Sequence, residues 1–564
     1  MIKKILQNFT KQQKKSFSFI VSLGLLGTLI EIASLSIVYK LIQTLLSANQ
    51  KQDILISFVD YNFYFNNYSF LTFLCFSLIS IYILKLIFFS YLNYLQFSFV
   101  YGLRHKISKK LLSLYMNTEY IFFTKKNSAE LLRNIDKDAN YFADGVVLNL
   151  INIITEFTIL IGIVIFLFYV DPFSTLYLLI FLTLIFFLFY FLLRKKIVNL
   201  ANLRQLKNFE FIKSVNQNIR GIKDIKLFDK IEYFENLFSK SSQLLSNVST
   251  KLMFLYSVTR YSIELIIIMC ASLFIIFSIQ KGFNLDNVLL TIGVYAAAAF
   301  RLLPSVNKLI ASFQRLTSSI PSVNVITNEQ KEIKEDNIDQ NFQINFNKNI
   351  VFEEINFSYN DDNAFSLSNI SFEIKKNEIF TIIGKSGSGK TTLVDILSGL
   401  LKPQNGKIFI DGNDYTKKYN LIRKNISYLS QKFFLLDDSI LNNITFGSKE
   451  IDLNKINQII KDLELETLVK ESKDGLNTIV GEDGLQISGG QAQRIGLARC
   501  FYSNRDIIIL DEATSALDIQ TEDFILKSIK NFKQNKTIIL ITHRENVLKF
   551  SDKILILEDG KTKK

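Results

Sequence analysis

Six apolar runs occupy the first 310 positions, with cores near 17–39, 69–92, 146–170, 173–193, 255–279 and 287–310. Each is close to the ~20 residues an α-helix needs to cross hydrocarbon. This pattern leaves few options. In lipid every backbone N–H and C=O must be satisfied internally, and a helix does so within one segment. Six membrane helices are therefore expected. The third and fourth are parted only by Asp171-Pro172, which suits a tight external turn.

At 564 residues the chain is too long for one ordinary domain. It is 49% hydrophobic, yet 21% of its residues are charged. Those figures fit a chain that keeps its apolar residues in one part and its charges in another. The net charge of +13 would suggest nucleic acid in a soluble protein. Here the positive residues gather beside the apolar runs, as at Lys11, Lys14, Lys15, Arg194, Lys195 and Lys196. Cytoplasmic flanks of membrane helices carry this bias, so no nucleic-acid partner is expected. The same rule puts the N-terminus, 93–145 and 194–254 in the cytoplasm. Residues 1–15 are polar and the first apolar run is long and carries Glu31, which argues for a retained helix over a cleaved signal. Cys75, Cys270 and Cys500 form no CxxC pair, so neither zinc nor a disulfide framework is indicated. Heavy use of Ile, Lys, Asn and Phe suggests an AT-rich, bacterial genome.

The two cytoplasmic stretches are too long for plain loops. We expect them to extend the membrane helices, each turning at a short transverse helix near 118–124 and 218–228. The first external stretch, 47–68, reads either as an amphipathic helix at the outer interface or as a polar loop. Residues 328–349 turn polar and read as a linker. From 350 onward, short β-branched runs alternate with helical stretches. Buried strands are expected at 380–383, 426–429, 506–510 and 537–542, giving an α/β domain of the doubly wound kind.

The run 380–383 leads directly into Gly384-Lys385-Ser386-Gly387-Ser388-Gly389-Lys390-Thr391, and a helix follows, with Thr392 in its first turn. This strand, loop and helix form a phosphate-binding loop. Its glycines let backbone amides face phosphates, and the helix N-terminus adds positive field. Lys390 supplies a charge to the phosphates and Thr391 a hydroxyl to Mg²⁺. Asp511 ends the apolar run 507–510, where a carboxylate can hold Mg²⁺. Glu512 can orient or deprotonate the attacking water, if strand alternation aims it away from Asp511. ATP and Mg²⁺ are the expected ligands.

These elements resemble the nucleotide-binding domain of ABC transporters. Ser488-Gly489-Gly490-Gln491 resembles the signature motif, with Ile487 where leucine is usual. The resemblance implies that this loop caps the phosphate held by a second subunit, so a homodimer is expected. Tyr359 resembles the aromatic residue that stacks on adenine. Gln431 resembles the glutamine that contacts Mg²⁺ and senses the membrane domain. Asp518 resembles the D-loop aspartate and His543 the switch histidine on the γ-phosphate. Thr478-Ile479-Val480-Gly481-Glu482 resembles the loop peculiar to exporters. The implied fold is a six-helix ABC exporter membrane domain at 1–327, a linker at 328–349, and an α/β phosphate-loop domain with helical and β subdomains at 350–564.

The cargo is less explicit. Glu31, Lys85, Glu156, Arg260, Glu264 and Arg301 lie inside apolar runs, where charge is costly and faces a cavity or a partner. Lys85, Arg260 and Arg301 fall at similar depth, roughly 10 Å inside the cytoplasmic edge. They read either as a basic girdle suited to a phosphate or as side chains snorkelling to headgroups. Leu29-Ile30-Glu31-Ile32-Ala33 and Arg301-Leu302-Leu303-Pro304-Ser305 resemble bacterial ABC flippases of lipid-linked oligosaccharides. That resemblance implies a polyprenyl-pyrophosphate glycan moved across the bacterial inner membrane, with Lys85, Arg260 and Arg301 meeting its pyrophosphate; Glu31 is a further candidate substrate residue. An exporter of peptides, toxins or drugs is the alternative on this fold. A soluble tandem-cassette ATPase is argued against by one cassette and six apolar spans.

Overall fold

The computed structural model describes residues 9–47, 54–58, 61–65, 67–170, 172–280, 285–333, 344–359, 366–513, 519–533 and 535–563. Contacts divide the chain into two units: Met1–Met116 with Lys126–Lys334, and Asn117–Lys125 with Glu335–Lys564.

The first unit is built on six helices: α1 (Lys11–Ser47), α2 (Asn67–Met116), α3 (Asn149–Val170), α4 (Pro172–Arg220), α5 (Ile231–Gln280) and α6 (Leu285–Glu332). Helices α2 and α5 each have 50 residues, so each is about 75 Å long, far more than a bilayer needs. The expected extensions are therefore continuous with the apolar spans. Among the described residues, Lys11–Leu45, Ser69–Met116 and Ser128–Val170 are long and apolar enough to cross a membrane. Phe76, Ile79, Ile83, Leu86 and Ile87 on α2 are exposed, a contiguous apolar surface that water would not tolerate in a soluble monomer. Inside the bundle Leu35, Ile159, Ile163, Leu167, Ala298 and Leu302 join α1, α3 and α6.

Helix α4 starts on Pro172, whose missing N–H costs nothing at a first helical position. Asp171 lies outside the described residues. Ahead of α3 the chain is helical from Ser128, but it passes through two π-helical segments, Asn134–Asp138 and Tyr141–Leu148. The second transverse helix is Ile222–Leu227, inside the expected 218–228. The reading of 47–68 is corrected. It holds two antiparallel strands, β1 (Ile54–Phe58) and β2 (Tyr61–Phe65), paired from Ile54↔Phe65 to Phe58↔Tyr61. Branched and aromatic residues favour strands, and the two runs are parted by only two residues.

The second unit contains two sheets. One has four antiparallel strands in the order β4 (Ser366–Lys375), β3 (Asn349–Ser358), β6 (Asn405–Ile410) and β7 (Asn413–Asp414). The other runs β12 (Lys561–Lys563), β11 (Lys553–Glu558), β5 (Ile379–Gly384), β10 (Thr537–Ile541), β9 (Ile507–Asp511) and β8 (Ile426–Leu429). All its pairings are parallel except β11 with β12. Period-2 alternation splits the strands between two cores. Ile507 and Ile509 face one core, formed with the antiparallel sheet and helix α7 (Lys390–Leu397). Ile508 and Leu510 face the other, formed with the helices between Ile440 and Tyr502, among them α8 (Gly489–Tyr502). Burial on both faces explains why these strands read as unbroken apolar runs.

Of the stretch expected to be a linker, residues 328–333 and 344–349 are described. Helix α6 continues to Glu332, while Ile344 and Phe346 are buried in the second unit's core. The first transverse segment also belongs to this unit. Its helix, Ile121–Lys125, packs Ile121 on the same core, against which Tyr359, Tyr415 and Tyr428 also pack.

Candidate active site

Strand β5, between β11 and β10, delivers the glycine loop at its C-terminal end. At Gly384 a Cβ would sit 2.3 Å from the Leu557 carbonyl oxygen, so only glycine fits. Gly389 caps α7 with φ +100°, a conformation other residues rarely adopt. Lys390 Nζ folds back on the loop and donates to the Gly384 and Lys385 carbonyls at 2.8 and 2.9 Å. Ser388 Oγ is buried with no hydrogen-bond partner. An orphaned hydroxyl within the glycine loop fits an anionic ligand, because burial without a partner is costly. Thr391 is exposed at the first turn of α7, Thr392 is buried behind it, and Lys385, Ser386 and Gly387 form the exposed rim. The Tyr359 hydroxyl lies 3.4 Å from Thr392 Oγ1, which places that ring beside the loop.

Asp511 closes β9 and is buried. Burial lifts its pKa above the usual carboxylate range; the Tyr428 hydroxyl, donating at 3.3 Å to Oδ2, offsets part of that rise. Asp395, on the buried side of α7, is pushed up to about 6 by burial and then by the charge of Asp511.

Glu512 is not aimed by strand alternation, contrary to the sequence reading. It lies past the end of β9 with φ +50°, in the left-handed region. Its N–H donates to the Ile541 carbonyl at 2.9 Å and its carbonyl accepts from Gln493 Nε2 at 3.1 Å. A strained backbone held from both sides marks a position whose side chain must point one way. The carboxylate spans Gln431, which donates through Nε2 to Oε2 at 2.7 Å, and His543, whose Nδ1 lies 3.0 Å from Oε1. Gln431, Glu512 and His543, 112 positions apart at the extremes, thus meet at one carboxylate.

Ser488 is the N-cap of α8. Its Oγ accepts from Gln491 N at 3.2 Å, and Gln491 Oε1 accepts from Ser488 N at 2.8 Å. This capping box fixes the helix start. Ser488 and Gly489 are exposed and Gly490 is half-buried, while Ile487 packs on the core below. Val480 is buried and donates its N–H to the Asp438 carbonyl, which anchors 478–482. Asp518 lies outside the described residues.

Comparison with known proteins identifies the family. The pattern of the ABC transporter transmembrane region matches residues 4–299, and that of the ABC transporter ATPase domain matches 367–515. The chain belongs to the ABC transporter family. It is an ATP-hydrolysing transporter with the exporter architecture, and a multi-pass membrane protein. The ATP-dependent lipid A-core flippase of Francisella novicida is 28% identical over 476 residues, covering 82% of this transporter and 78% of that protein. The alpha-hemolysin translocation ATP-binding protein HlyB of Escherichia coli is 38% identical over 216 residues, but this covers 38% of the transporter. A bacterial Atm1-family ABC exporter solved with ATP bound shares the fold, with TM-score 0.81 and 18% identity over 98% of this chain and 94% of that one.

In the transporter's membrane half, two of the three bases are not free. Lys85 Nζ lies 2.5 Å from Glu31 Oε2, and Arg301 Nε lies 2.7 Å from Glu31 Oε1. The girdle expected from the sequence is thus partly neutralised, because a buried carboxylate draws the nearest cations. Glu156, also buried, pairs with Lys308 at 2.9 Å. Arg260 lies on α5, and its side chain is outside the described residues.

Three residues at the ATP site were not singled out from the sequence: Tyr428, Gln493 and Asp395. Gln493 and Asp395 are polar residues on buried helix faces, an anomaly that periodicity can flag. Tyr428 sits in an apolar strand and gives no such signal.

Proposed function

We propose that the transporter is a homodimeric lipid exporter of the bacterial inner membrane. It moves a polyprenyl-pyrophosphate oligosaccharide from the inner to the outer leaflet, with its N-terminus and ATPase domain in the cytoplasm. Residues 1–327 form the membrane domain, 328–349 the connection, and 350–564 the ATPase domain.

The convergence of Lys85 and Arg301 on the buried Glu31 carboxylate, within the apolar runs of α2 and α6, carries the reading. Paired cations in a low-dielectric site suit a phosphate headgroup. Relatives add support. The flippase similarity spans both halves of the chain, whereas the toxin-translocation similarity covers little more than a third of it. That difference favours a lipid over a polypeptide.

At the ATP site, Lys390 and the amides of Gly384 to Thr391 hold the β- and γ-phosphates. Thr391, Asp511 and Gln431 would hold Mg²⁺. When bound, that ion neutralises charge developing on the transferred phosphoryl group. Tyr359 stacks on adenine. Glu512 orients the attacking water and takes up its proton, while His543 holds the carboxylate and reaches the γ-phosphate. The exposed start of α8, with Ser488, Gly489, Gly490 and Gln491, covers the phosphates held by the second subunit, and Asp518 lines that junction.

Stimulated ATPase activity of the reconstituted protein tests the proposal. Polyprenyl-pyrophosphate glycans should raise the rate, whereas peptides and hydrophobic drugs should not. Stimulation by peptides alone would sink it.

A further inference from the structure

Glu31 on α1, Lys85 on α2 and Arg301 on α6 form a three-charge cluster with one net positive charge. Its parts differ in depth. The Glu31 side chain is 1% exposed, while those of Lys85 and Arg301 are 17% and 23% exposed. The acid is innermost, and each base keeps an open side. Lys85 Nζ also lies 4.9 Å from the centroid of the Tyr82 ring, and Arg301 Nη1 donates to Ser305 Oγ at 2.8 Å. An ammonium has three donors and a guanidinium five, so both bases retain N–H groups for another acceptor.

A carboxylate in this position competes with any anion for the same two cations. Burying it costs free energy that those cations offset, so drawing them toward a ligand is resisted. We propose that Glu31 is the resident counter-ion of the headgroup site. It holds Lys85 and Arg301 in place when no cargo is bound and shares them with a lipid phosphate or pyrophosphate when cargo arrives. Glu31 thereby weakens anion binding and lets the headgroup leave on the outer side. This inference rests on the anionic-lipid reading above and adds the residue that sets its affinity.

The test uses the full chain in nanodiscs, with radiolabelled farnesyl pyrophosphate, farnesyl monophosphate and farnesol as probes. Glu31→Gln should bind both anionic lipids about tenfold more tightly than wild type, by removing one nearby negative charge. Farnesol binding should not change, and Glu31→Asp should behave as wild type. Dicyclohexylcarbodiimide labelling of wild-type Glu31, read by mass spectrometry, needs no variant to fold. Farnesyl pyrophosphate should raise it severalfold and farnesol should not. Unchanged or weaker anion binding by Glu31→Gln, or labelling indifferent to a farnesyl pyrophosphate that does bind, overturns the counter-ion role alone and leaves Glu31 a strut between helices. A wild type that binds neither prenyl phosphate overturns the anionic-lipid reading and this inference with it.

Discussion

His543 Nδ1 lies 3.0 Å from Glu512 Oε1, and the two residues come from the ends of neighbouring parallel strands. His543 is mostly exposed, whereas Glu512 is 16% exposed. The carboxylate is therefore the sheltered member, already placed by Gln431 on its other oxygen.

Glu512→Gln should keep ATP affinity within about twofold and lower the hydrolysis rate by 10²–10⁴, the usual contribution of a general base. Single-turnover hydrolysis beside a nucleotide-binding titration checks this. Near-normal turnover would refute the role given to Glu512.

Tyr428→Phe removes the hydroxyl that donates to Asp511 Oδ2. A neutral hydrogen bond contributes ~1 kcal/mol. The Mg²⁺ concentration for half-maximal ATPase activity should rise about three- to tenfold, with little change in the maximal rate at saturating Mg²⁺. A Mg²⁺ titration of both proteins decides it.

Asp395 titrates near 6 in the folded protein, against 3.8 ordinarily. A raised folded pKa means the native state holds the proton more tightly. Its contribution is full below about pH 4 and is lost as pH rises through 6. Asp395→Asn should match wild type near pH 4 and exceed it by about 1–3 kcal/mol above pH 7. Thermal unfolding at several pH values should show the two melting curves separating between those limits.

Ile121→Ala trims the side chain by which the first transverse segment packs on the core that Tyr359 and Tyr428 also line. Nucleotide binding should persist, while the ratio of cargo-stimulated to basal ATPase activity should fall at least twofold. Rates measured with and without lipid test this, and an unchanged ratio would remove Ile121 from the coupling path.

What could be read from the sequence follows from how locally each feature is encoded. Lys390, Thr391, Asp511 and Glu512 belong to short motifs whose chemistry fixes residue type and spacing, and they were legible. His543 stood out because the chain has only 2 histidines and one follows a strand. The six long helices were legible because lipid imposes a length on each. Gln493 and Tyr428 were not, since their value lies in reaching Glu512 and Asp511 across the fold. The hairpin of β1 and β2 did carry a strand signal, but beside an apolar helix its aromatic residues also suited a membrane interface. The pairing of Glu31 with Lys85 and Arg301 joins residues up to 270 positions apart, and charge counting alone left those bases free.

The central claim is that hydrolysis at Glu512 drives an anionic lipid across the membrane. Proteoliposomes carrying a fluorescent polyprenyl-pyrophosphate glycan test it directly, with translocation read by access of an externally added glycan-cleaving enzyme. Wild type should translocate the glycan only with ATP, and Glu512→Gln should not translocate it. Translocation that proceeds equally without ATP, or equally in the Glu512→Gln variant, would contradict it.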